Sequence, residues 1–363
     1  MNLAPNTAHP RIELNLNFRD LSPAQQEIVE VAKKSLPDGY APQTLNHRAA
    51  VIADRSGKTF GAGSNTDSTQ RGKYCAEVAA VSEARVLMAR EGIRSLSPAT
   101  LAVISERFFL ADRPAITEPP TAPCGACLSH IQAQRTFTDI ANLTVVMGAN
   151  QNFRRAFFSD LYPMSTVAQL QAAIAEPANA PTGFSLMPPG ACCQGLTDEY
   201  LQFISQERIN FLFEQTHKDL KYSSISTAPN LRVAYGYLTA QNSGFIRTAP
   251  LIDENTPIGQ VAGLLSLCAS SKPSRNGPQQ IKGILIAIDL IGDSNEQSDN
   301  YQFFPGTERQ RVFDLAQLTD YDIPIFISWR GKSLARSHIS TLAPLYEGPK
   351  DSKSTAPNLI RYL

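Results

Sequence analysis

Two short stretches carry residues whose types and spacing could do chemistry together. In "KYCAEVAAVSEA", residues 73–84, Cys75 and Glu77 stand two apart ahead of Val78, Ala79, Val81 and Ala84. Those apolar residues repeat at helical spacing, which places Cys75 and Glu77 in the first turn of a buried helix. In "TAPCGACLSH", Cys124 and Cys127 are three apart behind Pro123, the spacing by which one tight turn presents two thiolates to one metal. Taken singly, each has a plainer explanation. A cysteine beside a glutamate is a small core residue next to a carboxylate that the helix dipole favours, and a lone C-x-x-C is a weak signal. Together they offer three thiolates and leave a fourth tetrahedral position for water. Glu77, two residues from a ligand, could exchange protons with that water without itself ligating.

The elements that must hold these residues alternate between helix and strand. "SPAQQEIVEVAKKSL" reads as a helix with Ser22 as its N-cap, and "HRAAVIAD" as a strand turning at Ser56–Gly57 into another at Thr59–Phe60. The Cys75 helix follows, then a buried strand in "TLAVISERFFL", the Cys124 turn with its helix, and the strand "LTVVMG". This alternation indicates an α/β layered domain, expected over residues 1–173. Residues 174–198 are rich in Pro, Ala and Gly without sustained period, as expected of a linker.

The plan then repeats over residues 199–363. Tyr40 faces Tyr222 (222 − 40 = 182), Val78 faces Val261 (261 − 78 = 183), Pro123 faces Pro305 (305 − 123 = 182) and Pro163 faces Pro344 (344 − 163 = 181). On these offsets Cys75, Glu77, Cys124 and Cys127 face Ile258, Gln260, Gly306 and Arg309. The second copy thus has neither thiolates nor a proton carrier at those places. It is expected to be degenerate and non-catalytic and to bind no zinc there.

Lys+Arg and Asp+Glu are both 33, so no overall charge draws the chain to nucleic acid or an anionic membrane, and nucleic acid is disfavoured as a partner. No apolar run approaches ~20 residues, and "MNLAPNTAHPRIELNLNF" lacks the basic-then-apolar form of a signal peptide. No membrane partner and a cytoplasmic location are therefore expected. Six cysteines in 363 residues are too few for a disulfide scaffold, and a thiolate metal site suits a reducing compartment. Cys192, Cys193 and Cys268 read as structural.

C-x-E followed by P-C-x-x-C is the signature of zinc deaminases. With "YAP…AAV" and "GSNTD" added, the chain resembles the cytidine deaminases, particularly those in which a catalytic domain precedes a degenerate one. The resemblance implies an α/β fold of two three-layer αβα domains, each a mixed sheet flanked by helices. It implies a Zn2+ ion held by Cys75, Cys124 and Cys127, and hydrolytic deamination of cytidine or deoxycytidine to uridine or deoxyuridine plus ammonia. Glu77 would take the proton of the metal-activated water, pass it to the ring nitrogen, and then protonate the leaving amine. Asn65 and Asp67 stand where the family holds the sugar hydroxyls with Asn-x-Glu. The backbone of Ala76 and the carbonyl of Ala122 would contact the base and the departing ammonia. Single-domain members assemble as tetramers, so two fused copies imply a homodimer acting on a small nucleoside-like substrate.

The chain departs from this pattern in several places. Three thiolates on a dication leave a net negative charge, which opposes hydroxide formation. The three-cysteine members place Arg after the Glu and after the last Cys, where this chain has Val78 and Leu128. Helix N-termini, with Arg71 or Lys73, are the sequence's candidates for the missing positive potential. Leu45, Asn46 and His47 stand near the place of a family Phe; His47 and His130 read as structural histidines. The separation 124 − 75 = 49 is long for the family, the excess falling in the proline-rich stretch "RFFLADRPAITEPPT". Two other readings stand beside the first. One is a deaminase of another aminated heterocycle, modified nucleoside or nucleotide; the other is a non-catalytic zinc-containing binding or assembly protein. Glu77 weighs against the latter, because a structural thiolate site needs no adjacent proton carrier.

Overall fold

A computed structural model of the chain describes residues 12–40, 46–68, 72–107, 120, 122–149, 151–180, 183–187, 206–221, 223, 231–239, 247–250, 281–290, 301–319, 322–331 and 333–343. Its contacts divide the chain into two units, one over Ala8–Tyr162 and one over Pro163–Pro344.

In the first unit, β1 (Glu13–Leu16) precedes α1 (Pro23–Ser35). Ser22 caps α1 as its composition predicts: Ser22 Oγ accepts from Gln25 N, Gln25 Oε1 accepts from Ser22 N, and proline opens the helix. There follow β2 (Asn46–Asp54), β3 (Thr59–Ser64) and the short pair β4 (Thr66–Ser68) and β5 (Gly72–Tyr74). Then come α2 (Ala76–Glu91), β6 (Pro98–Arg107), α3 (Gly125–Gln132), β7 (Thr144–Ala149), β8 (Asn152–Phe157) and α4 (Phe158–Leu161). The main sheet has the order β1-β8-β7-β6-β2-β3, with β6 and β7 parallel and the other neighbours antiparallel.

Strand parity assigns the layers. Ala49, Val51 and Ala53 of β2 pack with Ile28, Val29 and Ala32 of α1, so Arg48, Ala50 and Ile52 face the opposite side of the sheet. That side is covered by α2, and glycines let it come close. Gly61 and Gly63 pair with Ile52 and Ala50. A Cβ on Gly61 would collide with Ala80 O and lie 2.8 Å from Ala84 N; one on Gly63 would collide with the Ala79 side chain and lie 2.5 Å from Ala80 N. Small residues on both surfaces seat the helix almost on the strand. Gly92, at φ 69°, ends α2 in the left-handed conformation that glycine adopts without strain.

The second unit holds α5 (Val167–Ala175), β9 (Ser185–Met187), α6 (Gln206–Leu220), β10 (Leu231–Thr239), β11 (Arg247–Pro250) and β12 (Ile281–Leu290). It continues with α7 (Gly306–Thr319), β13 (Pro324–Trp329), β14 (Ser333–His338) and α8 (Ile339–Leu342). Its sheet, β9-β14-β13-β12-β10-β11, repeats the first unit's order strand for strand, again with the third and fourth strands parallel. One face packs on α6, where a Cβ at Gly236 would collide with Thr216. On the other, Tyr235 donates its hydroxyl to Phe303 O and its ring packs against Phe304. The architecture agrees with the α/β class of two mixed, helix-flanked sheets expected from the sequence.

Two boundary readings change. The first domain was expected to run to residue 173, but the unit boundary falls at Tyr162/Pro163. The reason is hydrogen bonding: Val167 N at the start of α5 donates to Tyr301 O, and Arg309 donates to Pro163 O and Met164 O. Within the expected linker, β9 pairs with β14 as an edge strand. The copies also register one residue differently at the cysteine turn. Leu128 N bonds to Cys124 O, and Arg309 N bonds to Pro305 O, an offset of 309 − 128 = 181 that the helix starts share (306 − 125 = 181). Cys124 and Cys127 therefore face Pro305 and Glu308 rather than Gly306 and Arg309. Neither is a thiolate. Ile258 and Gln260 lie outside the described residues.

Gly61→Ala is expected to destabilise the protein by about 1–3 kcal/mol, because the new methyl meets α2 backbone that cannot yield as a flexible side chain does. Chemical denaturation checks this; an unchanged midpoint would mean that α2 sits further from β3.

Candidate metal centre and active site

Two helices begin at the site, and a cysteine caps each. Cys75 is the N-cap of α2 and Cys124 the N-cap of α3, both with extended backbone. Cys127 lies in the first turn of α3 and is fully buried. Helix N-termini carry positive potential, so thiolates are favoured at these places. The Cys75 and Cys124 Sγ atoms are 3.9 Å apart, and those of Cys124 and Cys127 are 3.4 Å apart. All three lie within 4.8 Å of one another, and they form the one group of three or more potential metal ligands among the described residues. Tetrahedral zinc with Zn–S bonds of ~2.3 Å needs sulfurs about 3.8 Å apart. The donor set and its spacing fit zinc.

The three sulfurs share charge unevenly. Cys124 is held far below the ordinary thiol range, first by its hydrogen bonds with the Cys127 and Cys75 sulfurs, with backbone N–H groups of Cys127 and Ala126 adding to the effect. Cys75 and Cys127 are pushed up, each first by its hydrogen bond with the Cys124 sulfur.

Glu77, in the first turn of α2, is only 1 % exposed, and its Oε1 has no hydrogen-bond partner. Burial raises its pKa, the Cys124 charge raises it further, and the Arg48 guanidinium opposes them. A carboxyl in such surroundings holds a proton at higher pH than a solvated one, as a group that must both take and give protons requires.

The structure brings Cys75, Glu77, Cys124 and Cys127 together. Ala76 opens α2 and is fully buried, and Ala122 is buried two residues before Cys124. Asn65 sits at the end of β3, where its Oδ1 accepts from Arg48 N at 2.7 Å and its own N donates to Arg48 O at 3.0 Å. Its side chain is thus part of the β2–β3 junction. Asp67 lies on β4 opposite Lys73 of β5. His47 Nδ1 lies 3.3 Å from Leu36 O and His130 bonds Gln134, which agrees with structural roles. Arg71, the cysteines at 192, 193 and 268 and most of the 106–120 stretch lie outside the described residues. Arg48 was not foreseen. The signal for it was strand parity: two residues before Ala50, it shares the face of the sheet that carries α2.

No protein-family profile and no curated protein matches this sequence. Among solved structures the chain is similar to a cytidine deaminase from Burkholderia pseudomallei, with 28% identity and a TM-score of 0.30, over 38% of this chain and 95% of that one. It is also similar to the cytidine deaminase of Mycobacterium tuberculosis (17% identity, TM-score 0.27, 39% and 94% covered). That of Mycobacterium leprae gives 14% identity and a TM-score of 0.27, with 39% and 98% covered. Among the described residues, no helix is long and apolar enough to cross a membrane.

The protein is expected to carry about one zinc per chain, since among the described residues three clustered cysteines occur in one place. Cys124→Ala should abolish binding and loosen the ends of α2 and α3. Elemental analysis with limited proteolysis checks both; about two zinc ions per chain, or none, would overturn the site.

Proposed function

We propose that this chain is a zinc-dependent hydrolytic deaminase that converts cytidine or deoxycytidine to uridine or deoxyuridine and ammonia. The observation that carries the reading is the pairing of a zinc-spaced thiolate cluster with a buried carboxyl whose Oε1 lacks a partner. Cys75, Cys124 and Cys127 would hold the ion, which supplies, when bound, the Lewis acidity that brings a water's pKa toward neutrality.

Glu77 moves the protons. Its carboxylate accepts one proton of water and delivers it to the ring nitrogen next to the amino-bearing carbon. It next carries the remaining hydroxyl proton to the amine, and the C–N bond breaks as ammonia leaves. Water supplies the oxygen of the product carbonyl, so atoms and charge balance. The raised pKa of Glu77, due first to burial, keeps more of the carboxyl protonated near neutrality than a solvated glutamic acid would be, so that a proton is held ready for transfer. Ala76 and Ala122 contribute main-chain groups beside the ligands. Asn65 and Asp67 follow β3 toward the start of α2, and we assign the sugar to them.

The second unit is proposed to be non-catalytic, its two cysteine-equivalent positions at the start of α7 being Pro305, just before the helix, and Glu308 in its first turn. We assign it a packing role in a homodimer of small-molecule enzymes in the cytoplasm.

Glu77→Gln should retain zinc and fold while lowering turnover of the true substrate by roughly 10²–10⁴-fold, the range for loss of a positioned proton carrier. Ammonia release across cytidine, deoxycytidine and other aminated heterocycles reads this. Near-normal turnover in the variant would make Glu77 a capping residue, and a substrate other than cytidine would favour the second deaminase reading. Sedimentation of the whole chain should give two copies; a monomer would remove the dimer from the proposal.

A further inference from the structure

We propose that Tyr162 is the positioning residue of the metal turn, its buried hydroxyl holding α3 through Ser129 so that Cys124 and Cys127 stand ready for the ion before it arrives. The inference rests on the zinc site read above and extends it to a residue that neither cysteine motif contains.

Two of the three sulfurs travel with α3, since Cys124 caps it and Cys127 lies in its first turn. The helix has 8 residues, and a helix so short takes its place from what it packs against rather than from its own hydrogen bonds. Ser129 stands two residues beyond Cys127, and its Oγ lies 3.1 Å from the Tyr162 hydroxyl oxygen. Helical hydroxyls elsewhere in the chain turn inward. Ser82 Oγ donates to Val78 O at 2.9 Å and Thr216 Oγ1 to Leu212 O at 2.7 Å, each four residues back on its own helix. Ser129 meets a side chain 33 residues further along.

Tyr162 is fully buried and fixed on both sides. Its N donates to Phe158 O at 2.9 Å, its ring meets that of Phe158 edge-on at 6.1 Å, and Phe158 N donates in turn to Leu143 O at 2.8 Å, next to β7. On its other side the carbonyls of Pro163 and Met164 each accept from Arg309 at 2.6 Å. Met164 is buried at φ 51°, a left-handed backbone that a residue with a Cβ keeps only when its surroundings hold it there. A buried tyrosine hydroxyl carries a cost that phenylalanine avoids unless it is hydrogen-bonded, and here the bond lands on the helix that carries two of the ligands. Before a metal binds, no bond ties the three sulfurs to one centre, so the turn keeps its shape through outside contacts such as this one.

The test uses the full-length protein as Tyr162→Phe, Ser129→Ala and Ser129→Thr. Zinc affinity is measured by chelator competition, amide hydrogen exchange is followed along α3 with and without zinc, and the denaturation midpoint is taken on metal-free protein. Without zinc, the α3 amides of Tyr162→Phe and Ser129→Ala should exchange about fivefold faster than in wild type, the change that one net hydrogen bond makes. Zinc-loaded variants should show wild-type exchange, because the ion restores the turn, and their zinc affinity should be lower by about the same factor. Ser129→Thr keeps the hydroxyl and should match wild type. A lowered midpoint with wild-type zinc affinity would make the bond ordinary core packing and overturn the proposal. If Tyr162→Phe fails to fold, Ser129→Ala decides by the same readouts. Wild-type protein that takes up no zinc refutes the metal site, and the proposal falls with it. Wild-type protein that binds zinc but deaminates nothing refutes the deaminase reading alone, and the affinity comparison still decides Tyr162.

Discussion

Three sulfurs within 4.8 Å of one another in a mostly buried place are the constraint on which the first unit depends. Packed thiolates repel, and burial removes the water that would screen them. The chain answers by making both arriving segments helix starts, with Cys75 and Cys124 as the caps themselves. The positive potential of these helix starts falls on the sulfurs, so part of the compensation is built into backbone. A Ser or Asp in those places would cap its helix with its own side chain. The cysteines give up that bond to a side-chain oxygen, Cys75 making no capping hydrogen bond and Cys124 meeting the N–H groups of Ala126 and Cys127 only through its sulfur. Their exchange of a local stabilisation for convergence on one point is intelligible when a metal restores more than the caps would have contributed.

Convergence demands precision from elements that hold no functional group. The end of α2 stays in place because α2 lies nearly in contact with β3 over Gly61 and Gly63, where the helix offers only alanine and backbone. The residues that make this possible carry no chemistry, yet a single methyl would lift the helix and with it Cys75 and Glu77. Asn65 acts in the same sense from the strand side, pinning the end of β3 to β2 through the Arg48 backbone. If it also meets a sugar, it does so with the oxygen already engaged, and its substrate contact and its structural bond are coupled.

What the sequence disclosed follows the range of the interactions involved. The C-x-E and P-C-x-x-C spacings are local, one helical turn each, and so the clustering of Cys75, Cys124 and Cys127 was legible, as was the Ser22 cap. The alternation of strands and helices and the repeated plan were legible because binary pattern is also local. Arg48 was not, because its meaning depends on the parity of β2, on the register with Gly63, and on a helix lying above both. The three residues of β9 were hidden in a Pro- and Ala-rich stretch, since their strand character is supplied by β14. The ownership of α5 was set by carbonyl and amide partners in a distant part of the chain, beyond any window of periodicity. The one-residue slip at the cysteine turn arose from aligning Pro123 with Pro305. In the folded chain, the first helical hydrogen bond pairs Cys124 with Pro305 instead.

That corrected register changes what the second unit says about the first. Leu128 and Arg309 are counterparts, both fully or almost fully buried. Leu128 brings a buried apolar side chain to its position. Arg309 sends Nε to Phe304 O at 2.9 Å, Nη1 to Pro163 O at 2.6 Å and Leu342 O at 2.9 Å, and Nη2 to Met164 O at 2.6 Å. A buried guanidinium is tolerated only when its donors are met, and here four carbonyls meet them. With Pro305 and Glu308 where the first unit has cysteines, the same strand order surrounds a cation among carbonyls in one unit and three clustered sulfurs in the other. The two units therefore solve one packing problem with opposite charges.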